Sequence, residues 1–520
     1  MGTVQVIIGL MAAAVGLAWL ARHLAIPYPV ALVVGGLALS ATPGLPALHL
    51  DPQLVLLLFL PPILYQAALF TSWRDFRANL RPIGMLAVGL VVATTIVVGG
   101  ALKLLLPELP WAACFAFGAI VSPPDAVAAT AIFSRLNIPR RIVTILEGES
   151  LVNDATGLVI YKLAVAAAIT GAFSIVEATF EFVQLAVAGV AIGLLLGWLF
   201  IALHKHLNDP LTEIGLSLVL PYAAWLAAEA AHGSGVLAVV AAGLLRGWYA
   251  PEVFSPATRL IGYSTWEIVV FVLNGLVFIL IGLQLRDIAQ NLFGYGLDQL
   301  ALHALAIGAV TILARFAWVL PSTYLPRLLS GRLRARDPQP PWRDVVIVGW
   351  CGMRGIVSLA AALALPYTTA QGMPFPGRDL LIFLTFAVII VTLVLQGVSL
   401  SPLIRLLGVG EDSVLAREER VARLKTTFAA LRELDRLVTG KGVPEELAKN
   451  LRKEYIARYR QAKRSSGGNA SGDAGHRLRL ACIAAERRRL IKLRREGTIG
   501  DEVLHRIQRE LDLEEVRLVG

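Results

Sequence analysis

The chain is a succession of thirteen apolar runs, at about 3–21, 28–42, 52–70, 82–105, 110–134, 142–170, 175–204, 211–232, 234–248, 264–286, 298–327, 343–369 and 379–407. Pro, Gly and charged residues divide them. A hydrocarbon layer about 30 Å thick is crossed by roughly 20 apolar residues in a helix, so most runs have spanning length and little chain is left for loops. Composition agrees: 56% of the 520 residues are hydrophobic and 16% charged, with mean hydropathy +0.68. No water-soluble globule has enough polar surface to cover such a balance. The fold class expected is all-α and integral to a bilayer, with residues 1–407 as a multi-pass transmembrane domain whose surroundings are lipid.

The first run lacks a basic residue before it and is followed by Arg22 and His23, the reverse of a secretory signal. It is expected to stay as the first span. Loops after odd-numbered runs carry 15 Lys and Arg, among them Arg74, Arg77, Arg81, Arg135, Arg140, Arg141, Arg246 and Arg327, against 3 after even-numbered runs, Lys103, Arg286 and Arg378. Basic loops stay on the cytoplasmic side, which puts the amino terminus outside and the carboxyl terminus in the cytoplasm. Residues 408–520 differ in kind, with 25 Lys and Arg against 18 Asp and Glu, a net of +7. They read as a cytoplasmic tail of charged helices over 414–464 and 477–519, joined by a flexible linker at 465–475, SSGGNASGDAG. The tail is either a solvated helical pair or a regulatory element that meets anionic lipid.

Ionisable groups at mid-membrane cost roughly 2.5–3.5 kcal/mol each on insertion scales, so they avoid lipid and mark a pathway. Run five, ACFAFGAIVSPPDAVAATAIF, puts Asp125 at its centre behind Pro123 and Pro124. Two prolines remove two backbone donors and break the helix, which frees carbonyls beside a carboxylate, a setting that suits a dehydrated cation. Run six opens EGESLVNDATGLVIY, in which Glu149 with Asn153 and Ser150 with Asp154 are i, i+4 neighbours sharing one face. These are hard oxygen donors plus one amide, which favours an alkali cation over zinc or copper. Run twelve, VIVGWCGMRGIVSLAAAL, spaces Gly349, Gly352 and Gly355 by three around Arg354, a second candidate break. Arg315, deep in run eleven, needs a carboxylate, and Glu149 is the expected partner. If run seven is a linker, the interrupted runs are the fifth of each of two inverted six-helix halves, the placement that points to a transporter site.

Other polar residues have plainer readings. Glu147 fits a carboxylate at a helix start, favoured there by the dipole. Arg315 and Arg354 read as structural counter-charges, since a permanent cation repels a cationic substrate. Lys162 snorkels outward, and Glu229 and Glu267 sit near span ends. Cys114, Cys351 and Cys482 have neither metal-ligand nor disulfide spacing. The GxxGxxG of run twelve follows no strand and is no nucleotide fingerprint. With no metal motif and no Ser, His and Asp at compatible depths, the chain is expected not to be an enzyme, to need no cofactor and to bind no nucleic acid.

At SPPDAVA, EGESLVND, GVLAVVAAGLLRG and GMRGIVSLA the chain closely resembles the sodium/proton exchanger family, in the branch with an Asn-Asp pair. The resemblance covers all thirteen runs, and the tail segment CIAAERRRLIKLRREGTIGDEVLHRIQRELDLEE looks like that of bacterial members. It implies an antiporter fold with crossed, discontinuous helices, exchanging protons for sodium or another monovalent cation. Asp154 is then the ion- and proton-binding acid, Asp125 the acid of the broken helix, Glu149 and Ser150 companions around the ion, and Asn153 the residue before the key acid. Arg315 pairs with Glu149, and Arg354 stabilises the crossing. Many members have Thr where Pro124 stands, so the cation ligands implied are Asp154, Ser150 and the backbone carbonyl of Pro124. Asn153, where electrogenic relatives carry Asp, implies one proton per cation. The resemblance also implies a homodimer in the bacterial inner membrane, serving pH and sodium homeostasis. A potassium/proton antiporter of the same fold is the nearest alternative; a cation channel or membrane sensor is more distant.

Overall fold

A computed structural model describes residues 3–24, 28–40, 52–133, 136, 138–171, 174–207, 209–290, 296–409, 413–440 and 445–464, with isolated positions beyond. The described residues are helical apart from connecting segments and one antiparallel bridge between Thr368 and Pro374. The chain divides into two compact units, Met1–Glu411 and Asp412–Gly520.

The first unit runs through α1 (Thr3–His23), α2 (Tyr28–Ser40), α3 (Pro52–Phe70), α4 (Trp73–Ala78), α5 (Leu80–Gly84), a π-helical stretch Met85–Leu90, α6 (Val91–Leu105), α7 (Trp111–Val121), α8 (Ala126–Phe133), α9 (Arg140–Thr170), α10 (Ile175–His204), α11 (Pro210–Ala230), α12 (Gly235–Val253), α13 (Pro256–Gln290), α14 (Leu297–Leu329), α15 (Gly331–Arg336), α16 (Trp342–Trp350), α17 (Ile356–Leu363) and α18 (Arg378–Leu407). Among the described residues, each apolar run falls on one of these helices, on a broken pair or, for run four, on the continuous span Leu80–Leu105. Seven are long and apolar enough to cross a membrane alone, and five shorter apolar helices accompany them. The π-helical stretch lies inside one such span, Leu80–Leu105, where the Trp318 indole N–H donates to the Met85 carbonyl at 2.9 Å. α10 buries little of itself: Val176, Phe180, Val187, Leu195 and Trp198 are all exposed, as lipid contact requires. The second unit contains α19 (Ser413–Gly440) and α20 (Glu445–Arg464). The single helix expected over 414–464 is thus two, while the linker at 465–475 and most of 477–519 lie outside the described residues.

Runs five and twelve are interrupted. α7 has 11 residues and α8 has 8, with Ser122–Asp125 between them; α16 has 9 and α17 has 8, with Cys351–Gly355 between them. At 1.5 Å per residue no half-helix crosses the hydrocarbon by itself. The two breaks meet: the Asp125 backbone N–H donates to the Met353 carbonyl at 2.7 Å. Arg354, 1% exposed, donates from Nε to the carbonyl of Val121, the last residue of α7, at 2.9 Å, and from Nη1 to Gly352 O. Its own N–H donates to Thr392 Oγ1 of α18 at 3.1 Å. A guanidinium therefore sits at the carbonyl end of a half-helix, where free C=O groups and the dipole both favour a cation. Gly355 is where the crossing is tightest. A Cβ there would lie 1.9 Å from Asp125 Oδ2, so no other residue fits unless the carboxylate moves.

At one end of the unit Asp337 gathers three arginines. Arg141 Nη2 lies 2.6 Å from Oδ1, Arg327 Nη2 2.6 Å from Oδ2 and Arg81 Nη2 3.5 Å from Oδ2, which ties the starts of α5 and α9 to the end of α14. Burial pushes the Asp337 carboxyl up, but the hydrogen bond and charge of Arg141, with Arg327 and Arg81, outweigh it and hold it below the usual carboxylate range. Arg246 differs from the loop residue expected. It lies inside α12, 3% exposed, bonded to the Tyr65 hydroxyl at 3.0 Å and to His204 Nε2 at 2.8 Å. Arg135 and the Arg286 side chain lie outside the described residues.

Two predictions follow from this packing. Gly355→Ala will disrupt assembly, whereas Gly100→Ala, where a Cβ meets nothing within 4 Å, will be neutral; purified yield and thermal unfolding in detergent compare them. Asp337→Asn will lower stability by about 1.5–3 kcal/mol at neutral pH, the usual range for hydrogen bonds to charged groups. Because the folded carboxyl is depressed, its contribution is complete above the unfolded value of about 3.9 and is lost as pH falls through the lower folded value. The gap between variant and wild type should therefore close below about pH 4.

Candidate functional site

A cavity of about 270 Å³ lies against the first break. Pro123, Pro124 and Asp125 line it from the break, Glu147, Ser150 and Asp154 from α9, Gln66 and Phe70 from α3, Asn274 from α13, and Ile356 and Val357 from α17. α9 can press against the break because it has no side chain at Gly157, whose Cβ position lies 2.4 Å from the Pro123 ring. That close approach, with Gly148 packed on Ile83, constrains how α9 is turned toward the break.

The four polar residues of α9 do not act as a single set. Ser150 and Asp154 line the cavity, and Asp154 is 6% exposed. Glu149 and Asn153 reach Arg315 and the Pro124 carbonyl. Glu149, 1% exposed, receives both terminal nitrogens of Arg315 at 2.5 and 2.8 Å, and Arg315 is fully buried. Arg315 Nε also donates to the Val348 carbonyl of α16 at 3.1 Å, so this one guanidinium joins α9, α14 and α16. Asn153 Nδ2 donates to the Pro124 carbonyl at 3.0 Å, and its Oδ1 is buried without a hydrogen-bond partner among the described residues. The Pro124 carbonyl expected to face a cation is thus already an acceptor, with one lone pair left.

The sequence-derived residues converge accordingly. Asp125, Asp154, Ser150, Pro123 and Pro124 share the cavity; Glu149 with Arg315 forms a buried ion pair beside it; Arg354, Gly352 and Gly355 build the crossing. Gln66 and Asn274 were missed. Each is an uncharged polar residue in an apolar run, the same signal as Asp125 but weaker. Glu147 was misread: α9 starts at Arg140, seven residues earlier, so Glu147 is in no helix's first turn and lines the cavity instead. Lys162 reaches Glu229 at 3.6 Å, with both ends largely exposed.

A multi-pass helical protein with two crossed, interrupted helices beside a cavity bearing carboxylates belongs to the class of membrane transporters. The chain is a member of the sodium/hydrogen exchanger family: residues 10–406 match the family described as "Sodium/hydrogen exchanger, transmembrane". It is 37% identical to an uncharacterised Na(+)/H(+) exchanger of Mycobacterium tuberculosis over 99% of this chain and 96% of that one. It is 35% identical to the sodium, potassium, lithium and rubidium/H(+) antiporter of Bacillus pumilus, over 93% of this chain and 73% of that one. Its fold matches the sodium proton antiporter MjNhaP1 of Methanocaldococcus jannaschii with a TM-score of 0.60, at 21% identity, over 79% of this chain and all of that one.

The Glu149–Arg315 pair supplies the prediction here. Removing one partner of a buried ion pair strands the other, at a cost of about 3–5 kcal/mol. Arg315→Met or Glu149→Leu alone will therefore lower the unfolding temperature in detergent more than the two substitutions combined.

Proposed function

We propose that this protein exchanges protons for sodium across the cell membrane, with Asp154 as the group that holds each in turn. The observation that carries this reading is the division of labour on α9. Arg315 neutralises Glu149, while Asp154 and Ser150 face a cavity wide enough for a cation and its remaining water. An unpaired carboxylate is costly to keep in a dry interior, so Asp154 can be enclosed only when a proton or a metal ion neutralises it. The two compete for the same oxygens. Enclosure with neither is opposed by desolvation, and enclosure with both by their mutual repulsion, which couples the two flows.

In this mechanism the Asp154 carboxyl releases its proton into the cavity as a cation binds the carboxylate, with Ser150 and the second lone pair of the Pro124 carbonyl as further ligands. Asp125 and the amino-terminal ends of α8 and α17 shape the field at the crossing. Asn153 holds the Pro124 carbonyl in place and carries no charge, which favours one proton per cation and electroneutral exchange. The helices of the crossing, with α9 and α14, move as a body against the rest, as two inverted halves, in a homodimer of the bacterial inner membrane. The amino terminus is outside, and the tail from residue 408 is cytoplasmic. Potassium exchange is a second reading, favoured by the cations in the name of the Bacillus pumilus relative and by the lack of a side-chain oxygen at Pro124.

Proteoliposomes carrying a pH-sensitive dye, given sodium, lithium, potassium or rubidium, test both readings. Wild type will dissipate an imposed proton gradient with sodium, and Asp154→Asn, folded and reconstituted equally, will not do so with any of the four. Wild-type flux in that variant rejects the site, and a response to potassium but not sodium reverses the cation.

A further inference from the structure

Glu147 is a cavity carboxylate that this mechanism leaves unused. It lies on α9 three residues before Ser150 and seven before Asp154, and all three line the same cavity, so they form one stripe along the helix. At 1.5 Å per residue, Glu147 is about 10 Å along the axis from Asp154, toward the Arg140 end. Gln66 and Phe70 line the cavity from the end of α3 that leads into Thr71 and α4. Glu147 is half-buried and Phe70 is 36% exposed, whereas Asp154 is 6% exposed, so this is the outer end of the cavity.

A half-buried carboxylate ordinarily has a basic partner, and the residues around Glu147 supply none in contact. No hydrogen bond or ion pair of its carboxylate is found among the described residues. Arg140 is the basic group whose charge acts on it, and that side chain is engaged by Asp75 at 2.7 Å. The facing wall from α3 offers the neutral amide of Gln66. A carboxylate thus stands at the mouth of a cavity that ends at a second carboxylate, an arrangement that, when both are ionised, concentrates cations along its length.

We propose that Glu147 is an antechamber site, which takes a partly hydrated monovalent cation from solution and hands it to Ser150 and Asp154. The proposal rests on the reading of Asp154 as the exchange site. One charge acting over about 10 Å, at the effective dielectric of a partly buried site, changes cation occupancy roughly tenfold. Glu147 has no part in holding the ion during the crossing, so its effect falls on capture and not on turnover.

The test is initial-rate transport in proteoliposomes over a sodium series. Glu147→Gln will raise the KM for sodium about tenfold and leave kcat at saturating sodium near wild type. Glu147→Asp, which keeps the charge, will restore most of the affinity. Raising ionic strength with an impermeant salt will narrow the difference between Glu147→Gln and wild type, because screening weakens the wild-type attraction. A fall in kcat with KM unchanged, or a loss the Asp variant does not rescue, marks a structural role and overturns the proposal. So does a wild-type KM in Glu147→Gln, provided Asp154→Asn is inactive; an active Asp154→Asn instead overturns the underlying assignment.

Discussion

In a bilayer every backbone polar group must find a partner inside the protein, and this chain breaks two helices where that demand is hardest to meet. Each break exposes carbonyls at one half-helix end and N–H groups at the other. The structure satisfies them mutually, through the hydrogen bond from Asp125 to the Met353 carbonyl and through Arg354, whose guanidinium binds carbonyls of both breaks. Each break thus supplies backbone partners to the other. What they create jointly is a polar interior, at the depth of Asp154, that ordinary helices would have filled with backbone and aliphatic side chains.

Charge compensation follows the same economy. Arg315 is buried because Glu149 takes both of its terminal nitrogens, and Glu149 is withdrawn from the cavity for the same reason. The pair leaves the adjacent cavity with fewer acids than the motif carries. Asn153 extends this: in place of another charge, it offers an amide that fastens the Pro124 carbonyl.

Much of this was legible in the sequence because the signals are costly ones. Consecutive prolines and a Gly-x-x-Gly-x-x-Gly string in apolar runs forecast the breaks, and an arginine deep in run eleven demanded a carboxylate. What stayed hidden depended on helix rotation and on distant partners. That Ser150 and Asp154 would line the cavity while Glu149 met Arg315 depends on contacts such as the Pro123 ring seated at Gly157, which no periodicity encodes. Gln66 and Asn274 cost too little in lipid to stand out. Arg246 passed for a loop charge because Tyr65 and His204, which let it be buried, are far away in sequence. Glu147 was misplaced because α9 begins earlier than its apolar stretch.

The triple attachment of Arg315 has a kinetic implication. Since one side chain clamps α9, α14 and α16, the helix that bears Asp154 cannot be displaced alone; the three move together. In the proposed exchange a body of that girth slides against α3, α13 and the surrounding acyl chains, which makes membrane thickness and fluidity determinants of its rate.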